Sequence, residues 1–290
     1  MSERITFTLE EQPSMGIQAA VDYARTILDW SSYHWPGVVE HRDLAYGPDP
    51  RQRLDLFVPE GAKNAPVMIF FHGGGWCTGH KEWAGFMVPA LARLGVILVA
   101  PNYRLAPGHK MPAAFDDGIA VLKKVTEMLP AMGGDPGRMF LSGHSAGGHL
   151  AALIALRRAD RERAGLSPDA IRGGLPVSGI FDLHHPSPTE GSLEAMVYTH
   201  VLKDAVDDGP MSPICWTAGN TVPMFLLHGS KDSVRVMRSN ERIEALLKLQ
   251  PGPVERLVEQ GSDHFQTHMG LKDPDHPWYA RLDAMIRNAG

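Results

Sequence analysis

The chain has 290 residues, 43% of them apolar and 21% charged, with a formal net charge of −5. That is enough for one large domain with a substantial core and short for two, and it offers neither a basic face for nucleic acid nor a polybasic membrane anchor. Two cysteines, Cys77 and Cys215, make no disulfide framework or metal cluster, no apolar run approaches the roughly 20 residues of a membrane helix, and the opening MSERITFTLEEQ lacks a signal peptide's apolar stretch, so a cytoplasmic chain is expected.

Residues 1 to about 48 come first and carry Trp30, Tyr33, His34 and Trp35. Short, almost continuous apolar runs then recur: LDLFVP (54–59), PVMIFF (66–71), GVILVAP (95–101), RMFLSG (138–143), PMFLLHG (223–229) and VERLVE (254–259). Such runs suit strands buried on both faces. Amphipathic helices are predicted between and after them, near 82–94, 114–129, 146–160, 239–250 and 277–288. The alternation argues for a single α/β domain over residues 1–290, wound around a mostly parallel sheet. Two parts stand outside that rhythm, 1–48 and about 183–221, the second carrying His184, His185 and Trp216. Both are expected to act as cap segments over one end of the sheet.

Chemistry concentrates where strand meets helix. Ser145 follows the run 138–143, with Gly143 and Gly147 on either side. A tight turn there lifts a serine hydroxyl above the sheet, and the glycines remove Cβ atoms that would collide with the neighbouring strand and helix. The helix start behind it offers free N–H groups and the positive end of a dipole. A second motif, FFHGGGW (70–76), also follows an apolar strand. The N–H groups of Gly73 and Gly74, with that of Ala146, could form an oxyanion hole. Phosphate-loop patterns fail here: Thr78 takes the last glycine of G-x-G-x-x-G, and Lys81 comes one place late for a P-loop.

A serine hydroxyl needs a base to take its proton. In this fold type the order is serine, then acid, then histidine. Asp232, in GSKDSV, and His264, in GSDHF, both lie just past apolar strands. His264 is assigned as the base and Asp232 as the residue that orients it. Asp263 is assigned to its loop, His149 to packing under the turn, and His72 and His144 to bracing loops. His264 and His268 have the i, i+4 spacing of metal ligands but no third ligand is signalled, and Cys77 reads as a small apolar residue. No cofactor or metal is implied. Trp76, Trp30, Tyr33, Trp35 and Trp216 are the candidates for a compact, partly aromatic substrate pocket, with packing of the cap onto the core as the alternative.

HGGGW, NYRLAP (102–107) with PAAFDD (112–117), GHSAGG, GSKDSV and SDHF together resemble the α/β-hydrolases of the hormone-sensitive-lipase-like esterase group. The resemblance runs from about residue 45 to the C-terminus. It implies an α/β-hydrolase fold, N-terminal helices forming a canopy, and Ser145, Asp232 and His264 as the triad. It also suggests that NYRLAP is a structural turn, with Arg104 paired to Asp116 or Asp117, and the group admits a homodimer. DLAYGPDPRQRLDLFVP, GHSAGGHLAAL and IRGGLPVSGIFDL also look like bacterial arylformamidases, which use the same triad on an N-formyl amide. Gly75 stands where that group usually has an aromatic residue. The expectation is a serine hydrolase acting on small esters, with an amidase or formamidase as the alternative.

Overall fold

Strands long enough to cross a sheet, each apolar on both faces, have to be covered from both sides. The computed structural model, which describes residues 3–13 and 16–289, meets that requirement. Among the described residues the strands are β1 (Val38–Ala45), β2 (Arg53–Pro59), β3 (Ala65–Phe71), β4 (Ile97–Pro101), β5 (Gly134–Gly143), β6 (Ile171–Gly174), β7 (Met224–Gly229) and β8 (Val254–Glu259). They form one sheet in the order β1-β2-β4-β3-β5-β6-β7-β8. β2 pairs antiparallel with β1 and β4; every other pairing is parallel.

The helices are α1 (Gln18–Ser31), α2 (Val88–Arg93), α3 (Ala113–Met128), α4 (Ala146–Leu156), α5 (Arg158–Arg163), α6 (Leu193–Met196), α7 (Val234–Leu247), α8 (Gln266–Met269) and α9 (Pro277–Asn288). Alternate residues along β3 supply two separate cores, because successive side chains point to opposite faces. Val67, Ile69 and Phe71 pack with α3, α4 and α7. Met68 and Phe70 pack with α1, α2 and α9. All seven residues of β3 are buried, whereas the edge strand β1 is half-exposed along its length.

Several boundaries differ from expectation. The helix predicted over 82–94 is a 3₁₀ segment, Lys81–Met87, followed by α2, with Pro89 near the join; proline fits the first turn of a helix but not its interior. The helix predicted over 146–160 breaks at Arg157, whose ψ of 64° is not helical. α7 begins five residues before its predicted start, where the Ser233 hydroxyl accepts from the Val236 N–H. The segment 1–48 is not all outside the sheet, since its last part is β1. Its α1 docks on Lys81–Met87, and the Phe86 N–H donates to Ser31 Oγ at 2.9 Å. The segment 183–221 holds α6 and short helical turns at Val197–Val201, Ala205–Asp208 and Pro213–Trp216. It is tied down by the Met111 N–H, which donates to the Val201 carbonyl at 2.8 Å.

Candidate active site

β5 ends at Gly143 and α4 begins at Ala146, so the chain reverses direction through His144 and Ser145. Ser145 takes φ 56° and ψ −117°, a left-handed conformation that costs a non-glycine residue on the order of 1–3 kcal/mol. Three hydrogen bonds hold it there. The His144 N–H donates to Phe71 O at 3.2 Å, the Ser145 N–H to Val177 O at 2.9 Å, and the Gly147 N–H to His144 O at 2.8 Å. The flanking glycines have a steric cause. A Cβ on Gly147 would stand 2.0 Å from the Phe71 carbonyl oxygen, and one on Gly143 would stand 2.4 Å from the Gly147 carbonyl carbon.

The turns after β7 and β8 bring in the next two side chains. They interlock through the Lys231 N–H, which donates to Ser262 O at 3.0 Å. Gly229 is needed because a Cβ there would lie 2.1 Å from the same oxygen. His264 places Nε2 2.9 Å from Ser145 Oγ and Nδ1 2.8 Å from Asp232 Oδ1. Asp232 is buried. Burial alone would raise its pKa, but the hydrogen bond and charge of His264, with the Ser233 N–H, hold it below the usual carboxylate value. The Ser178 hydroxyl pairs instead with Thr267 Oγ1 at 2.8 Å, and Asp232 Oδ2 receives no hydrogen bond. Asp263 faces its own loop, accepting from the N–H groups of Phe265 and Gln266.

The glycine loop after β3 lies against this group. A Cβ on Gly73 would approach Ser145 Cβ to 3.4 Å and His144 Nδ1 to 3.0 Å. Gly74 has φ 110°, and a Cβ there would meet the Thr78 carbonyl at 2.2 Å. The loop closes on itself, with the N–H groups of Cys77 and Thr78 both donating to Gly74 O. Among the described residues, no backbone carbonyl accepts from the N–H of Gly73, Gly74 or Ala146. His72 stacks on Tyr103 with centroids 4.3 Å apart, and the Tyr103 hydroxyl donates to His72 O. His149 is buried under the turn: its Nε2 donates to Met211 O at 2.7 Å and its Nδ1 accepts from Trp76 Nε1 at 3.2 Å. Arg104 pairs with Asp117, not Asp116.

The aromatic pocket residues are not brought together. Trp76 is buried beneath the loop on His149. Trp30 packs edge-on against Phe86 and under the Lys272 ammonium. Tyr33 and Trp35 pack on each other. Trp216 donates to Pro210 O and lies beneath Arg157. These contacts are packing, the alternative the sequence left open. Met196 is nearer the loop, its Cε 3.3 Å from where a Cβ of Gly75 would stand; a lone methionine between helical turns carried no signal in the sequence. Tyr23, whose hydroxyl reaches His144, was also missed, because on α1 it reads as one more apolar-face residue.

A serine raised on a strained strand–turn–helix junction, with an acid and a histidine supplied by later strand ends of a mostly parallel sheet, defines the α/β-hydrolase class. The profile of the alpha/beta hydrolase fold family matches residues 68–267, and the chain belongs to that family. Its relatives include a probable isoprenylcysteine alpha-carbonyl methylesterase of Oryza sativa subsp. japonica, 29% identical over a 251-residue alignment that covers 80% of this chain and 59% of the relative. Esterase LipC of Mycobacterium tuberculosis is 31% identical over a 237-residue alignment that covers 75% of this chain and 58% of LipC. The chain thus spans somewhat under three fifths of the length of these relatives. Among solved structures, an esterase of Pyrobaculum calidifontis superposes with a TM-score of 0.76 at 22% identity, covering 95% of this chain and 94% of the other. EstE1, a carboxylesterase from a metagenomic library, gives 0.74 at 20% identity, covering 96% and 97%. Among the described residues no helix is long and apolar enough to cross a membrane.

Proposed function

We propose that this protein is a serine carboxylesterase in which Ser145, His264 and Asp232 form the catalytic triad. The observation that carries the reading is the hydrogen-bonded chain from Ser145 Oγ through His264 to Asp232, at 2.9 and 2.8 Å. His264 Nε2 takes the hydroxyl proton as Ser145 Oγ attacks the acyl carbon. The N–H groups of Gly73, Gly74 and Ala146 stabilise the tetrahedral oxyanion. His264 hands the proton to the departing alcohol, leaving an acyl-enzyme, and then activates the water that releases the acid. Asp232 stays ionised and stabilises the imidazolium. No step calls on a metal or cofactor.

Segment 183–221 forms the lid over this site, with Met196 closing the space beside Gly75 and favouring small acyl groups. An ester precedes an N-formyl amide as substrate because the relatives named above are esterases. The test is kcat/KM for p-nitrophenyl acetate beside that for N-formylkynurenine, with Ser145→Ala as control. Ester turnover that falls by at least about 10⁴-fold in Ser145→Ala is expected. Undiminished turnover in that variant would remove Ser145 as nucleophile, and a large preference for the formamide would move the protein to the amidases.

A further inference from the structure

Behind His264 lies a second set of titratable rings that the mechanism above does not use. Tyr23 Oη, carried on α1, stands 3.1 Å from His144 Nδ1 and 2.7 Å from His268 Nδ1. His144 Nε2 stands 2.7 Å from the backbone carbonyl oxygen of His264. Tyr23, His144 and His268 are all buried, and the two imidazoles stack with centroids 5.0 Å apart.

Chemistry fixes the direction of every proton in this chain. A carbonyl only accepts, so His144 carries its proton on Nε2, and in a neutral ring Nδ1 is a bare acceptor. The Tyr23 hydroxyl therefore donates to His144 Nδ1, and its oxygen accepts from the Nδ1–H of His268. Burial keeps both rings neutral: it pushes His268 down to about 3 and lowers His144, which the neighbouring His264 and His268 lower further. His268 Nε2 is then a lone pair with no donor, set against Phe70 and Phe86. Donation runs one way, from His268 through Tyr23 and His144 to the backbone of His264.

We propose that Tyr23 and His144 are positioning residues, which hold the His264 backbone so that its ring stays in line with Ser145 Oγ. The proposal rests on His264 being the base. His144 adjoins Ser145 on the strained turn, so one side chain ties the nucleophile's backbone to that of the base, and Tyr23 ties both to α1. The His264 carbonyl also accepts from Thr267 Oγ1 at 2.9 Å, so losing one donor loosens the base without releasing it.

Tyr23 also packs its ring on Phe265 and Trp83, and Tyr23→Phe keeps that packing while removing only the hydroxyl. The experiment measures kcat and KM on p-nitrophenyl acetate for Tyr23→Phe, His144→Leu, His144→Gln and Ser145→Ala. Sites are counted by stoichiometric fluorophosphonate labelling, so that unfolded protein does not enter kcat. Tyr23→Phe is expected to lower kcat about ten-fold with KM within about two-fold, and His144→Leu to lower it about 100-fold. His144→Gln regains at least about ten-fold over Leu, because its amide can again donate to the His264 carbonyl. Wild-type kcat in Tyr23→Phe, or equal losses in Leu and Gln, would reduce the network to packing and overturn the proposal. Should Tyr23→Phe label no sites, the Leu–Gln comparison decides. Undiminished turnover by Ser145→Ala would instead remove Ser145 as nucleophile and with it the triad on which the proposal rests, whatever the other variants do.

Discussion

Asp232 is a buried carboxylate whose Oδ1 accepts from the His264 imidazole and the Ser233 N–H and whose Oδ2 receives no hydrogen bond. Such a group is tolerable only if the charge is used, since burying an ion costs several kcal/mol unless a partner offsets it. Its partner here is the His264 ring nitrogen Nδ1 at 2.8 Å, and in the proposed mechanism that contact fixes the tautomer that leaves Nε2 free to take the Ser145 proton. Asp232→Asn is nearly isosteric, yet its amide can donate to Nδ1 and stabilise the wrong tautomer. The expected result is a fall in kcat of about 10⁴-fold with a correctly folded chain. Steady-state kinetics alongside circular dichroism check it, and a fall below about ten-fold would mean that Asp232 serves the loop and not the imidazole.

Elements meet at two welds around the site. The first is the contact of the first turn of α4 with the end of β3, where the Gly147 Cα faces the Phe71 carbonyl. Gly147→Ala would place a methyl 2.0 Å from a backbone oxygen fixed within the sheet, a clash no rotamer can relieve. A loss of at least about 3 kcal/mol is expected in urea denaturation. The second weld joins the loop after β4 to α3. Asp117 is fully buried and accepts from the Arg104 N–H, the Arg104 guanidinium and Gln52 Nε2. Asp117→Ala strands these donors and should cost about 3–5 kcal/mol, also read from urea denaturation; a loss under about 1 kcal/mol would show that water replaces the carboxylate. These welds explain what the sequence could tell. The buried strands were legible because a strand covered on both faces reads as an unbroken apolar run. β1 (VVEHRDLA) was not, because an edge strand carries polar residues, and β6 (IRGG) was not, because four residues with two glycines lack a period. Ser145, Asp232 and His264 were legible through local punctuation at strand ends. The surroundings were not: Met196 and Tyr23 come to the site through tertiary packing, and the tryptophans went to packing because an aromatic ring signals area, not address.

The whole molecule carries an unusual load of neutral histidine. His72, His144, His149 and His268 are all essentially inaccessible. Burial is the first cause of a lowered pKa in each, to about 4 for His149 and about 3 for His268. The sign of the consequence follows from linkage. Folded rings stay neutral while the unfolded chain takes up protons near the ordinary histidine pKa of about 6.5, so falling pH favours the unfolded state. The stabilisation is full above about pH 6.5 and shrinks steadily below it, down to the native pKa of each ring. Each ring then costs about 1.4 kcal/mol per pH unit; the four together cost roughly 5 kcal/mol at pH 5.5, and His80, also buried and lowered to about 4, adds a fifth share. That is comparable with the whole stability of an ordinary domain, about 5–15 kcal/mol. Asp232 cannot be the cause in this window, because its depressed pKa defers its own loss to far lower pH. Unfolding free energies measured in urea at pH 7.5, 6.5 and 5.5 should fall with a slope, below 6.5, of roughly four protons taken up on unfolding. A slope of less than one proton would mean that the folded protein accepts protons on these rings, and the neutral chain from His268 to the His264 backbone would then have to be redrawn with a charge in it.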